Sequence, residues 1–132
     1  MKIKLIVEDL YGGPFFIDVI QRLKDANLVN KNLIIPKPKH LPADCNQKLD
    51  EILEYIDNKV DRIIIVLAEY EIEEWICISK DLKWKHSKPS EELKRKYGYE
   101  KYKLPKYANE LDFNKLQKNC KSFKAFLNAL IP

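Results

Sequence analysis

Short apolar runs alternate with helically periodic stretches through the first half of the chain. KIKLIVE (2–8) is an apolar run fringed by lysines and reads as a first, central strand. DLYGGP interrupts it with Gly12 and Gly13, and Pro14 suits the first turn of a helix. Over 14–25, Phe16, Ile20 and Leu23 form one helical stripe with Ile17 beside it. NLIIP (32–36) reads as a second strand, stopped by Pro36 and Pro38. KPKHLPADCN (37–46) then reads as a loop, because its prolines suit neither a ladder nor a helix interior. Over 46–58, Leu49, Ile52, Leu53 and Ile56 recur at the spacing of an amphipathic helix. RIIIVLA (62–68) does not alternate, so a strand buried on both faces is expected.

Strand, helix, strand, helix, strand is the order of a parallel sheet with right-handed crossovers. The expected fold is therefore a single α/β domain over 1–132. It has three layers, with a small, mainly parallel sheet of 2–8, 32–36 and 62–68 flanked by helices at 14–25 and 46–58. Past the sheet, EIEEWICIS (71–79) is helical in pattern, with Ile72, Trp75, Ile76 and Ser79 on one face. Residues 80–107 are basic and aromatic, with one short helix expected after Ser90 as N-cap, followed by Glu91 and Glu92. Two C-terminal helices are expected within 111–131, capped by Asp112 and Ser122 and packed against the sheet. Their stripes are Phe113–Leu116–Cys120 and Phe123–Phe126–Leu127–Leu130. No repeat or linker divides the chain.

Hydrophobic residues make up 45% of the sequence and aromatics 11%, which suits a packed core and argues against disorder. No stretch approaches the roughly 20 apolar residues of a membrane span. MKIKLIVE lacks a signal peptide's apolar core, so a cytoplasmic protein without a membrane partner is expected. Cys45, Cys77 and Cys120 are odd in number and far apart, which implies no disulfide framework. Assembly into a homo-oligomer is left open.

Charge adds a second pattern. Residues 1–79 carry 10 basic and 14 acidic side chains, whereas 80–106 carry 10 basic and 4 acidic. Such segregation bears on partners rather than on fold. In the basic segment, lysines are interleaved with Trp84, Tyr97, Tyr99, Tyr102 and Tyr107. Lysines attract phosphates and aromatic faces stack on unpaired bases, so Lys83, Lys85, Lys94, Arg95, Lys96, Lys101 and Lys103 are candidate nucleic-acid contacts. The plainer reading is a solvated cover whose tyrosines pack their rings on the core and expose their hydroxyls.

Acids gather where a parallel sheet places its sites, at the carboxyl ends of strands. Glu8 and Asp9 follow the first strand, and Glu69 and Glu71 follow the third. Two acidic strand ends meeting in one sheet suit Mg²⁺, which takes oxygen ligands and serves phosphate substrates. The alternative is a set of exposed loop acids and a solvated helix start, favoured by the helix dipole. Gly12-Gly13 lacks the longer glycine pattern or following lysine of a phosphate loop. His40 and His86 show no metal-ligand spacing, and no serine or cysteine has the setting of a nucleophile.

Three places together resemble a known family: Val7-Glu8, Glu71-Ile72-Glu73-Glu74-Trp75, and Cys120-Lys121-Ser122-Phe123. They are similar to small Toprim-like proteins, relatives of the overcoming-lysogenization-defect-type nucleases. The resemblance spans most of the chain, and the Glu-Ile-Glu-Glu-Trp element is its most specific part. It implies an α/β fold, Mg²⁺ and action on phosphodiester bonds, with Glu8 as the catalytic acid/base. The chain departs from that pattern in two ways: Asp9 stands where a glycine is common, and no Asp-x-Asp occurs anywhere. Glu69 and Glu71 are the candidate metal ligands in its stead, or the fold is a shortened, degenerate one. Two functions follow, a Mg²⁺-dependent nuclease and a catalytically degenerate module that binds nucleic acid or a protein.

Overall fold

The computed structural model describes residues 2–7, 11–36, 39–40, 62–66, 71–85 and 87–131. Strand β1 (Ile3–Val7) lies between β2 (Lys39–His40) and β3 (Arg62–Val66), parallel to both. Ile3 pairs with Arg62 and Val7 with Val66, while β2 meets only Ile6 and Val7. Among the described residues, six further elements are helical: α1 (Gly12–Asp25), α2 (Glu71–Ser79), α3 (Pro89–Tyr97), a 3₁₀ segment (Lys101–Glu110), α4 (Phe113–Asn119) and α5 (Lys121–Ala129).

The expected three-layer α/β architecture is overturned. Helix dominates the described residues, and among them the strands run over 5, 2 and 5 residues. Among the described residues, a strip of this size offers no broad sheet for two helical layers to cover. The expected strand at 32–36 is not one. Asn30 folds the chain back here, its side chain accepting from the Asn32 N–H at 2.8 Å and its carbonyl from the Leu33 N–H at 3.0 Å. Turn bonds of this kind compete with a ladder for the same backbone groups. What survives is one bridge between Ile34 and Lys2, and Pro36 has no N–H with which to extend it. Lys39–His40, expected in a loop, forms the short β2 instead. The helix expected at 46–58 lies outside the described residues.

The helices follow the apolar pattern with local shifts. α1 begins at Gly12, so the two glycines are its first turn rather than a break before it. Phe15, Phe16, Val19, Ile20 and Leu23 are buried along it, but Ile17 is exposed. α3 is capped at Lys88 with Pro89 in its first turn, and the expected cap Ser90 lies one residue inside. It ends at Gly98, whose φ of 66° is left-handed backbone that glycine adopts without strain. Asp112 caps α4 as expected, accepting from the Lys115 N–H at 3.1 Å. Cys120, not Ser122, stands at the N-cap of α5.

Ser122 is used elsewhere. Its hydroxyl accepts from the Trp75 indole N–H at 2.8 Å, which satisfies a polar group that is otherwise buried with its ring. Trp75 is 3% exposed and lies edge-on to Phe16 of α1 at 5.8 Å and to Phe123 of α5 at 5.2 Å. Phe126 packs on it at 5.3 Å, and Phe113 of α4 stacks on Phe123 at 5.7 Å. The 3₁₀ segment packs along α1, where Arg22 donates to the Ala108 carbonyl at 2.7 Å and the Leu111 carbonyl at 3.0 Å. The Arg22 guanidinium also rests 4.4 Å from the centre of the Phe113 ring.

Truncating this cluster has graded costs. Trp75→Ala is expected to destabilise the fold by about 3–5 kcal/mol through the lost ring and the cavity it leaves. Ser122→Ala removes only the hydroxyl and strands the indole N–H, at about 1–2 kcal/mol. Urea unfolding of both variants measures the order, and a Ser122→Ala cost equal to that of Trp75→Ala would contradict it.

Candidate nucleic-acid interface and a buried carboxylate

The sequence-derived acidic site and the basic segment fare differently. Glu8 and Glu69 lie outside the described residues. Glu71 opens α2, and its side chain also lies outside the described part. Among the described residues, no three His, Cys, Asp or Glu side chains come together as a metal-holding group. The described side chains therefore assemble no such ligand set for Mg²⁺.

The described acid with the most unusual setting is Glu73. α2 buries Ile72, Glu73, Trp75, Ile76, Cys77 and Ser79, so most of its circumference faces protein. Glu73 is 2% exposed. Its Oε1 accepts from the Lys101 ammonium at 2.7 Å and from the Tyr99 hydroxyl at 3.3 Å. Its Oε2 has no hydrogen-bond partner among the described residues. Burial raises the Glu73 pKa against the lowering effect of its backbone and Tyr99 hydrogen bonds. Burial lowers the Lys101 pKa, so both partners are biased toward their neutral forms. Nearby Cys77 is pushed up to about 12 by burial and by the Glu73 charge, which leaves it a thiol at neutral pH. Its Sγ donates to the Pro89 carbonyl at 3.5 Å, tying α2 to the start of α3.

Glu73 was legible as one of four clustered glutamates but not as the buried one. The available signal was Cys77, four residues on and therefore on the same side of the helix.

The seven candidate cations separate into three groups. Lys101 is turned inward to Glu73. Lys94 pairs with Glu100 at 3.4 Å, Arg95 pairs with Glu92, and Lys103 donates to the Gly98 carbonyl at 2.9 Å. Lys83, Lys85 and Lys96 are exposed and form no ion pair among the described residues. The tyrosines divide in the same way. Tyr99 and Tyr107 are buried edge to face at 5.5 Å, whereas Tyr97 is 48% exposed and Tyr102 60% exposed. Lys80 lies 4.8 Å from the Tyr97 ring centre and Lys103 lies 5.7 Å from that of Tyr102. Within this segment one set of rings packs on the core, and another faces water beside lysines.

No family model, curated protein or solved structure matches this chain. Among the described residues, no helix is long and apolar enough to cross a membrane.

The Glu73–Lys101 pair predicts an asymmetric response to mutation. The folded state holds the Glu73 proton more tightly than the unfolded chain does. Its contribution to stability is thus fully present below the ordinary glutamate value of 4.5 and is lost as pH rises above it. Glu73→Gln deletes the buried charge, and Lys101, its side chain 38% exposed, is left with access to water. That variant is expected to hold or gain stability at neutral pH. Lys101→Met strands the buried carboxylate and is expected to cost about 2–3 kcal/mol at pH 7, a deficit that shrinks toward acid. Thermal melts of both variants across pH check the order, and a larger loss for Glu73→Gln would reverse the assignment.

Proposed function

We propose that this chain is a nucleic-acid-binding module whose contact surface is the basic cover formed by residues 83–103. The observation that carries the reading is the placement of Tyr97 and Tyr102. Both rings are exposed among lysines, while Tyr99 and Tyr107 in the same segment are packed away. Exposed aromatics beside cations are the combination that holds bases and phosphates together. The ion pairs of Lys94 and Arg95 lie at the surface, where such pairs contribute little, so phosphates can compete for these cations. Lys101 is excluded from the contact set, because its ammonium is engaged by Glu73. Of the two functions weighed from sequence, this is the binding module. The Mg²⁺-dependent reading rests on Glu8, Glu69 and the Glu71 side chain, which lie outside the described residues.

Binding should be electrostatic and salt-dependent, each phosphate contact adding ~0.7–0.9 to the log–log slope. The variant Lys83→Gln/Lys85→Gln/Lys96→Gln is expected to lose roughly 2–3 units of that slope. A charge-matched variant elsewhere, Lys24→Gln/Lys31→Gln/Lys124→Gln, is expected to change it much less. Titration of labelled single- and double-stranded oligonucleotides at several salt concentrations measures both. Equal losses would reduce the patch to net charge, and no binding by the wild type at low salt would refute the reading.

A further inference from the structure

α2 ends in a tight reversal. The Leu82 N–H returns to the Cys77 carbonyl at 2.8 Å, and Asp81 takes a left-handed φ of 57°. The reversal delivers Leu82 and Trp84 against the core, where both are half-buried. With Ile78, Lys83, Lys85 and Asn119 they line an open groove of about 400 Å³. That volume is within the range of small-ligand sites, roughly 300–1,000 Å³.

Three observations about the groove point to one kind of occupant. The Trp84 indole N–H has no partner among the described residues, in contrast to Trp75, whose indole is bonded to Ser122. Trp84 thus brings a half-buried indole with an unused donor to the lining of the groove. The rim is positive, since Lys83 and Lys85 are exposed and make no ion pair among the described residues. The rim's acid, Asp81, is neutralised by Lys115 at 2.7 Å. Asn119, an exposed residue of the lining, supplies an amide with both donor and acceptor capacity.

We propose that this groove is a stacking subsite for one unpaired nucleobase, with Trp84 as the platform and Lys83 and Lys85 holding the flanking phosphates. The inference rests on the nucleic-acid reading above and makes it more specific: the substrate is single-stranded, because a paired base does not leave its stack to reach an indole. Stacking on the indole tolerates any base, so selectivity between strands exceeds selectivity between sequences.

The test compares wild type, Trp84→Ala and Trp84→Phe for binding labelled oligothymidylate and a duplex of mixed sequence. Trp84→Ala is expected to weaken single-strand binding about 5- to 150-fold while leaving the salt slope and duplex binding unchanged. Trp84→Phe keeps a ring and is expected to stay near wild type. Quenching of wild-type fluorescence provides a readout that needs no variant. Trp84 is the half-exposed indole and Trp75 the shielded one, so oligothymidylate should remove the acrylamide-accessible part of the emission. Unchanged single-strand affinity in Trp84→Ala, or unaltered quenching in the wild type, overturns the subsite and leaves the nucleic-acid reading standing. Absence of any oligonucleotide binding overturns both.

Discussion

The burial of the Trp75 ring is the constraint on which the described fold depends. A ring of that size inside the protein needs apolar neighbours on its faces and edges and a partner for its N–H. α1 supplies Phe16, and α5 supplies Phe123, Phe126 and the Ser122 hydroxyl. These contacts fix α2 between the two helices. They extend outward through Phe113, stacked on Phe123, to Arg22, which fastens the 3₁₀ segment by two carbonyl bonds. One aromatic chain thus links the first helix to the last, and the short parallel strip of strands lies outside it.

Burying α2 on most sides has an electrostatic consequence. Glu73 is carried inside with the apolar residues and draws Lys101 and Tyr99 toward it. The basic segment is divided as a result. Its inward members hold the cover to the core, and its outward members, Lys83, Lys85, Lys96, Tyr97 and Tyr102, are left to face water. Tyr97 and Tyr102 thereby stay exposed beside the packed Tyr99 and Tyr107.

The helical stripes were legible because their period repeats over several turns. Phe16, Ile20 and Leu23, then Ile72, Trp75 and Ile76, and both C-terminal stripes are buried as their spacing indicates. Asp112 was legible as a cap because its chemistry is local. What the pattern misjudged depends on contacts distant in sequence. The run at 32–36 suggested a strand, but the Asn30 turn takes the Asn32 and Leu33 N–H groups and leaves a single bridge at Ile34. Ser122 has the composition of a cap, yet an indole 47 residues away claims its oxygen. The 3₁₀ segment carries Pro105 and no clean period, so nothing local announces it. Lys101 reads as one more surface lysine until Glu73 is found opposite. The Glu8, Glu69 and Glu71 site stays an expectation, since Glu8 and Glu69 and the Glu71 side chain fall outside the described residues.

Taken together, these features divide the described residues into a helical core and a basic, largely outward-facing segment that the Glu73–Lys101 pair ties to it. Hydrogen–deuterium exchange of the full chain, with and without oligothymidylate at low salt, tests that division most directly. The account predicts slowed exchange in peptides within 82–103 and at the adjoining groove edges around Ile78 and Asn119, with α1 and α5 unchanged. Protection spread evenly over the helices, or centred on the Trp75 cluster, would contradict it.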